Sequence, residues 1–256
     1  MNTWRTLYIK ELKDHRGVFL FLLIVTLCLD LYASLQVVMG GASLPLLNLT
    51  IYAGLALLSY GTVFLLPFIL AHSFSSELKA ETHYLLLSLP VQRSAIVLCK
   101  FLAVLSVGVV LFVLSTATVH LLYLNFRGLV PIGAILGIGI STISGADLWV
   151  IMGNGYFSVL LLFLGMVSAM EGLKYAVKRF RGLVTTAFFI GGLYLFILLR
   201  GPGMELLDLD RDQGQIVGSE LQVQADIGLQ SVAFSALVCM VFLGLGMWLF
   251  ENRAEV

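Results

Sequence analysis

Six long apolar runs, at 17–39, 46–71, 100–124, 156–173, 182–199 and 229–250, fill most of the chain, and short polar segments separate them. Each is near the roughly 20 residues that a helix needs to cross the hydrocarbon of a bilayer. None shows the alternating pattern of a membrane-barrel strand, and a helix satisfies its own backbone hydrogen bonds, as lipid requires. The pattern therefore predicts an all-α, polytopic membrane protein with six transmembrane helices in one domain spanning 1–256. Ahead of the first run, Trp4, Leu7, Tyr8 and Leu12 recur at helical spacing, with Arg5, Lys10, Lys13 and Arg16 on the remaining surface. That arrangement predicts an N-terminal interfacial helix over 1–16, apolar side in lipid and cations toward anionic headgroups, turning sharply at Arg16-Gly17 into the first span. The stretch 128–143 is apolar but short and rich in glycine, and reads as an interfacial or re-entrant piece within a loop over 125–153.

Composition agrees with the pattern. Hydrophobic residues make up 59% and charged residues 12% of the 256 residues; the mean hydropathy is +1.00. A soluble domain carries roughly 25% charged residues. The net charge of 0 leaves no electrostatic footprint for nucleic acid. The placement of the cations is more telling. Arg5, Lys10, Lys13, Arg16, Lys79, Arg93, Lys100, Lys174, Lys178, Arg179, Arg181 and Arg253 fall on one side of the predicted spans, and Arg127, Arg200 and Arg211 on the other. By the positive-inside rule both termini are cytosolic and the number of spans is even. The first run is longer than a signal-peptide core and lacks a small-residue cleavage site, so it is expected to remain as a span. Cys28, Cys99 and Cys239 lie in or beside apolar runs without a paired spacing and read as small core residues.

Polar residues within the runs are the exceptions to explain. Asp30 falls midway along the first run. A carboxylate in hydrocarbon costs about 3 kcal/mol or more, so it faces the bundle interior, lining a pathway, or lies nearer the outer interface beside Tyr32, Ser34 and Gln36. Glu171 is expected to snorkel toward Lys174. His72 and His120 end runs on opposite sides and cannot share a metal. Gly165, Ser168 and Ala169, with Gly244 and Gly246, are small residues at helix-packing spacings and read as contacts within the bundle. Pro67 predicts a kink. The loop over 201–228 carries Glu205, Asp208, Asp210, Asp212, Glu220 and Asp226 against Arg211. It reads as a solvated extracellular loop, with 215–217 and 221–224 pairing as a small hairpin, or as an outer gate or ion site. Asp208, Asp210, Asp212 and Glu220 approach a calcium-loop pattern, but the glycine and the closing glutamate each fall one place late, so no metal is assigned.

The segment 75–99 carries the most specific text. Glu77 and Glu81 share a helical face; Leu85, Leu86, Leu87 and Leu89 form a short apolar run; Ser88-Leu89-Pro90 stops the helix; and Val91-Gln92-Arg93-Ser94 turns the chain back, with Ser94 placed to cap the third span. With Thr82, Ile96, Val97 and Lys100, this segment resembles the signature of type-2 ABC exporter permeases. The basic start with Lys10-Glu11-Leu12, the six spans and the long loop before the last resemble that family too. Two departures are Glu81, where a glycine is usual before the threonine, and Cys99, where a small residue is usual before the lysine.

The resemblance implies a bacterial cytoplasmic-membrane subunit without catalytic residues of its own. It would pair with a second permease, identical or paralogous, and carry two ABC ATPase subunits that bind ATP and Mg. Segment 75–99 would be the cytosolic coupling helix, with Glu77, Glu81, Leu85, Leu86, Leu87, Pro90 and Arg93 at the ATPase. Consistently, the sequence has no phosphate-binding loop, so the chain itself needs no cofactor and its partners are ATPases and lipid. The substrate expected by analogy is a drug, peptide or antibiotic, which would confer antibiotic resistance by export. The alternative is a membrane sensor or immunity protein that binds a peptide without transport.

Overall fold

In the computed structural model the described residues are 3–40, 58, 60–79, 93–125, 145–177, 180–206 and 220–252. Among them there is no strand. The α-helices are α1 (Thr3–Asp14), α2 (Arg16–Gly40), α3 (Leu66–Lys79), α4 (Arg93–Asn125), α5 (Gly145–Ala176), α6 (Arg181–Leu206) and α7 (Glu220–Asn252). Five of these contain stretches long and apolar enough to cross a membrane: Arg16–Leu35, Ser94–Leu121, Met152–Ala176, Arg181–Gly203 and Ser231–Asn252. Much of the expected second span, over 46–71, lies outside the described residues, and the apolar helix Thr62–Ser76 is shorter than a full crossing. The all-helical, multi-pass architecture is as the apolar runs require.

Several boundaries differ from the sequence expectation, each for a local reason. The chain turns between α1 and α2 at His15, one residue ahead of the expected Arg16-Gly17. Ahead of Pro67, where a kink is expected, a 3-10 turn, Thr62–Phe64, precedes α3, and Leu65 N–H donates to the Thr62 carbonyl (3.0 Å). Pro67 then occupies the first turn of α3, where its missing N–H costs nothing. Helix α4 starts at Arg93, so Ser94 lies inside its first turn instead of ahead of it, and Lys100 is two turns inside the helix. Helix α5 reaches back to Gly145, so Gly153-Asn154-Gly155 is helical; the bare face of Gly153 admits the Phe112 ring, 3.3 Å from where a Cβ would stand. Residues 221–224 are helical and form no hairpin: α7 extends outward from its span through Glu, Leu, Gln and Ala, all sound helix formers. Between α5 and α6, Phe180 adopts φ 55, which lets the chain reverse within a few residues.

Helix association in lipid gains little from apolar burial, since lipid tails are as apolar as leucine; close packing and polar contacts must hold the bundle. Helix α5 is its centre. A seam of small residues joins α5 and α7: a Cβ on Gly165 would stand 2.8 Å from Cys239 Cα, and one on Gly172 would stand 2.6 Å from the Gly246 carbonyl oxygen. Because both residue numbers rise together, the two helices run parallel. The expected contact set of Gly165, Ser168, Ala169 and Gly246 is present. Gly244 is not in it, having nothing within 4 Å, because it lies on another face of α7. Helices α4 and α5 run antiparallel, with Tyr156 Oη donating to the Gly108 carbonyl (2.9 Å) and Phe112 packed among Trp149, Tyr156 and Phe157. Helix α6 is peripheral: 11% of its span is buried, against 61% for α5.

Candidate functional site

The side chains of Glu77 and Arg93 are not among those described; their backbones lie in the last turn of α3 and at the start of α4. Glu81, Leu85, Leu86, Leu87 and Pro90 lie outside the described residues, as do Asp208, Asp210 and Asp212, while Glu220 is the first residue of α7. Asp30 is 7% exposed, on the inward stripe of α2 with Leu22, Thr26 and Ala33, while Leu31 and Tyr32 beside it are exposed. The Asp30 side chain is therefore turned toward the other helices. It lies within electrostatic reach of Tyr60, whose hydroxyl shares a 2.7 Å hydrogen bond with Thr116 Oγ1.

A charged cluster that the sequence reading did not assemble joins three helices near the ends of the signature segment. Lys100 of α4 is 2% exposed and Glu11 of α1 is 5% exposed. The Lys100 ammonium donates to Glu11 Oε1 (2.9 Å), Glu11 Oε2 (3.0 Å) and Ser73 Oγ of α3 (2.7 Å). Ser73 Oγ in turn donates to Glu11 Oε2 at 3.2 Å. Three ammonium hydrogens thus meet three acceptors. The Phe74 ring lies 5.4 Å from the nitrogen, adding a π face to the cation's surroundings. Desolvating two ions costs several kcal/mol each, and such a pair persists only when its geometry is good and its remaining donors are satisfied, as here.

The docking of α1 follows from this cluster. Tyr8 Oη donates to Ser106 Oγ (2.8 Å), Cys99 Sγ approaches the Trp4 carbonyl (3.8 Å), and Glu11 meets Lys100. Trp4, Tyr8 and Glu11, one face of α1, thus dock on α4 between Cys99 and Ser106. The buried side of α1 faces protein, while Trp4 and Ile9 stay exposed. At the α1–α2 turn, His15 lies 6.4 Å from the His72 ring of α3 and 6.1 Å from Phe19. Burial pushes its pKa below the ordinary 6.5; Glu11 and Asp14 raise it, and Lys100 and His72 lower it further.

The expected pairing of Glu171 with Lys174 is present. Glu171 itself is fully buried, and Lys174 reaches back to it. His120 packs beside Trp149. Among the described residues no group of three or more His, Cys, Asp or Glu is placed to hold a metal ion.

Signals for the missed cluster existed. Glu11 shares the helical face of Trp4 and Tyr8, where an acid is out of place on an apolar stripe. Lys100 is flanked by apolar residues on both sides, so once a helix is started at Arg93 this lysine needs a buried anion. Counting it with the membrane-edge cations hid that need.

Five long apolar helices, with α5 at their centre and polar contacts between them, define a multi-pass α-helical membrane protein. Over residues 42–209 the chain matches the family described as ABC-2 family transporter protein, and it belongs to that family. The family is a membrane transport component that works with ABC ATPase components and is not itself catalytic. The matched stretch includes Ser73 and Lys100, while Glu11 and Asp30 precede it. No curated protein matches the chain.

Proposed function

We propose that this chain is the permease subunit of an ATP-driven exporter in a bacterial cytoplasmic membrane, with both termini cytosolic. It forms the translocation path with a second permease, a copy or paralogue, and two separate ATPase subunits bind ATP and Mg and dock on segment 75–99. Glu77, Glu81, Leu85, Leu86, Leu87, Pro90 and Arg93 form the docking surface, and Asp30 faces the path. The acidic residues of 201–228, among them Asp208, Asp210, Asp212 and Glu220, favour a cationic drug, peptide or antibiotic as cargo.

The observation that carries this reading is the tie between the helices flanking the signature segment. Helices α3 and α4 run antiparallel, and Ser73 meets Lys100 at 2.7 Å. That tie lies about 9–10 Å along each helix from Lys79 and Arg93. A force applied to the residues between those ends therefore reaches both spans together. The test is co-purification with a Walker-motif ATPase encoded beside it. Glu77→Lys and Arg93→Glu each reverse a charge at the docking surface and are expected to weaken ATPase retention at least about tenfold, with the permease still folded. Unchanged retention in both variants, or labelling of Leu87→Cys from the external medium, overturns the reading.

A further inference from the structure

We propose that Glu11, Ser73 and Lys100 are positioning residues that couple the signature segment to α2, making α2 the span displaced when the ATPases close. The inference rests on the functional reading above and adds to it a route and a moving part.

The first argument is chemical. A buried ion pair is a weak source of net stability, because apolar residues of similar volume hold a core together as well or better. Its value is directional. Lys100 bonds both Glu11 oxygens and Ser73 Oγ, and Ser73 bonds back to Glu11. The three helices cannot slide past one another without breaking charged hydrogen bonds out of water. The second argument is positional. Ser73 and Lys100 lie about two helical turns from Lys79 and Arg93, the facing ends of α3 and α4, so these helices pass any displacement to Glu11. Helix α1 is joined to α2 by the single residue His15, and 28% of the α2 span is buried. A lightly packed helix attached directly to a clamped one is the element free to follow it. Along α2 the displacement reaches Asp30, on the inward stripe.

The experiment uses the complex of the permease with its ATPase in lipid nanodiscs, on a Cys28→Ser background. Spin labels at Leu31→Cys on α2 and Val241→Cys on α7, both exposed positions, report the distance between these helices without nucleotide and after trapping with ATP and orthovanadate. With the clamp intact the distance distribution is expected to shift on trapping. In Glu11→Gln/Lys100→Met, a neutral pair that leaves no buried charge behind, the shift is lost while assembly, melting temperature and ATP hydrolysis persist. The reversed pair Glu11→Lys/Lys100→Glu restores it. Persistence of the shift in the neutral pair, absence of rescue by the reversed pair, or failure of the neutral pair to assemble each overturns the proposal. Glu77→Lys and Arg93→Glu separate the two levels. If they abolish ATPase retention while the neutral pair keeps the shift, the clamp is refuted and the docking reading stands. If they leave retention intact, the docking reading falls, and this proposal with it.

Discussion

Replacing Gly246 with alanine tests whether the parallel seam of α5 and α7 is held by backbone proximity. The added Cβ would stand 2.6 Å from the Ser168 carbonyl oxygen, 2.8 Å from the Ser168 carbonyl carbon and 3.1 Å from Ala169 Cα. A close carbon–oxygen contact is about 3.3 Å, so the backbones must part by about 0.7 Å at that point. A gap of roughly 0.5–1 Å forfeits a quarter to a half of each dispersion contact. The neighbours on the seam, Gly172 against Gly246 and Gly165 against Cys239, are backbone atoms that cannot rotate away. Overpacking of this kind costs about 2–3 kcal/mol, opposed by up to about 1 kcal/mol of helix propensity gained when glycine becomes alanine. Gly244→Ala is the internal control, because nothing lies within 4 Å of its Cβ position and the same propensity gain applies. The propensity term cancels between the two variants, leaving a difference of about 2–3 kcal/mol, or roughly 4–12 °C in Tm. Thermal unfolding in detergent, followed by tryptophan fluorescence, measures it. Equal melting of the two variants, or a higher Tm for Gly246→Ala, would refute the seam.

Acidification is expected to loosen α1. The pKa of His15 is lowered in the docked state, so below about 6.5 the undocked helix takes up the proton more readily than the docked one. Docking strength is therefore fully present at neutral pH, falls as pH drops through 6.5 and levels off below the docked-state value. Trp4 fluorescence in a Trp149→Phe/Trp248→Phe background follows the transition, and His15→Gln should flatten it; a profile unaffected by that substitution contradicts the assignment. Tyr156→Phe removes the donor to the Gly108 carbonyl and is expected to lower stability by about 1 kcal/mol in the same unfolding assay. No loss in that variant means the hydroxyl adds nothing to the α4–α5 contact.

Much of the fold could be read from the chain because hydrocarbon imposes a simple demand: about 20 apolar residues per crossing. The runs at 17–39, 182–199 and 229–250 fall within α2, α6 and α7 for that reason. Helix ends were harder, because beyond the apolar core a helix stops only at a strong breaker. Nothing between Glu220 and Leu229 stops α7, so it runs well beyond its apolar core. The cost of a carboxylate in lipid left Asp30 two placements, the bundle interior or the outer interface, and did not choose between them. The partner of Lys100 was not legible either, because Glu11 is 89 residues away in sequence and only the docking of α1 on α4 brings them together. The residues chosen for ATPase docking were found by their text, and that text names a family without giving the geometry of their side chains.

The parallel run of α5 and α7 has a consequence for how the protein is made. Two helices in the same direction cannot be a hairpin, so α6 must first return the chain to the opposite side. Gly172 emerges from the ribosome about 75 residues before Gly246, an interval of roughly 4–15 s at ordinary translation rates. During that time the bare backbone strip of α5 has no mate, and lipid or the insertion machinery occupies the groove. Among the described helices, the one that closes the centre of the bundle is made after all the others.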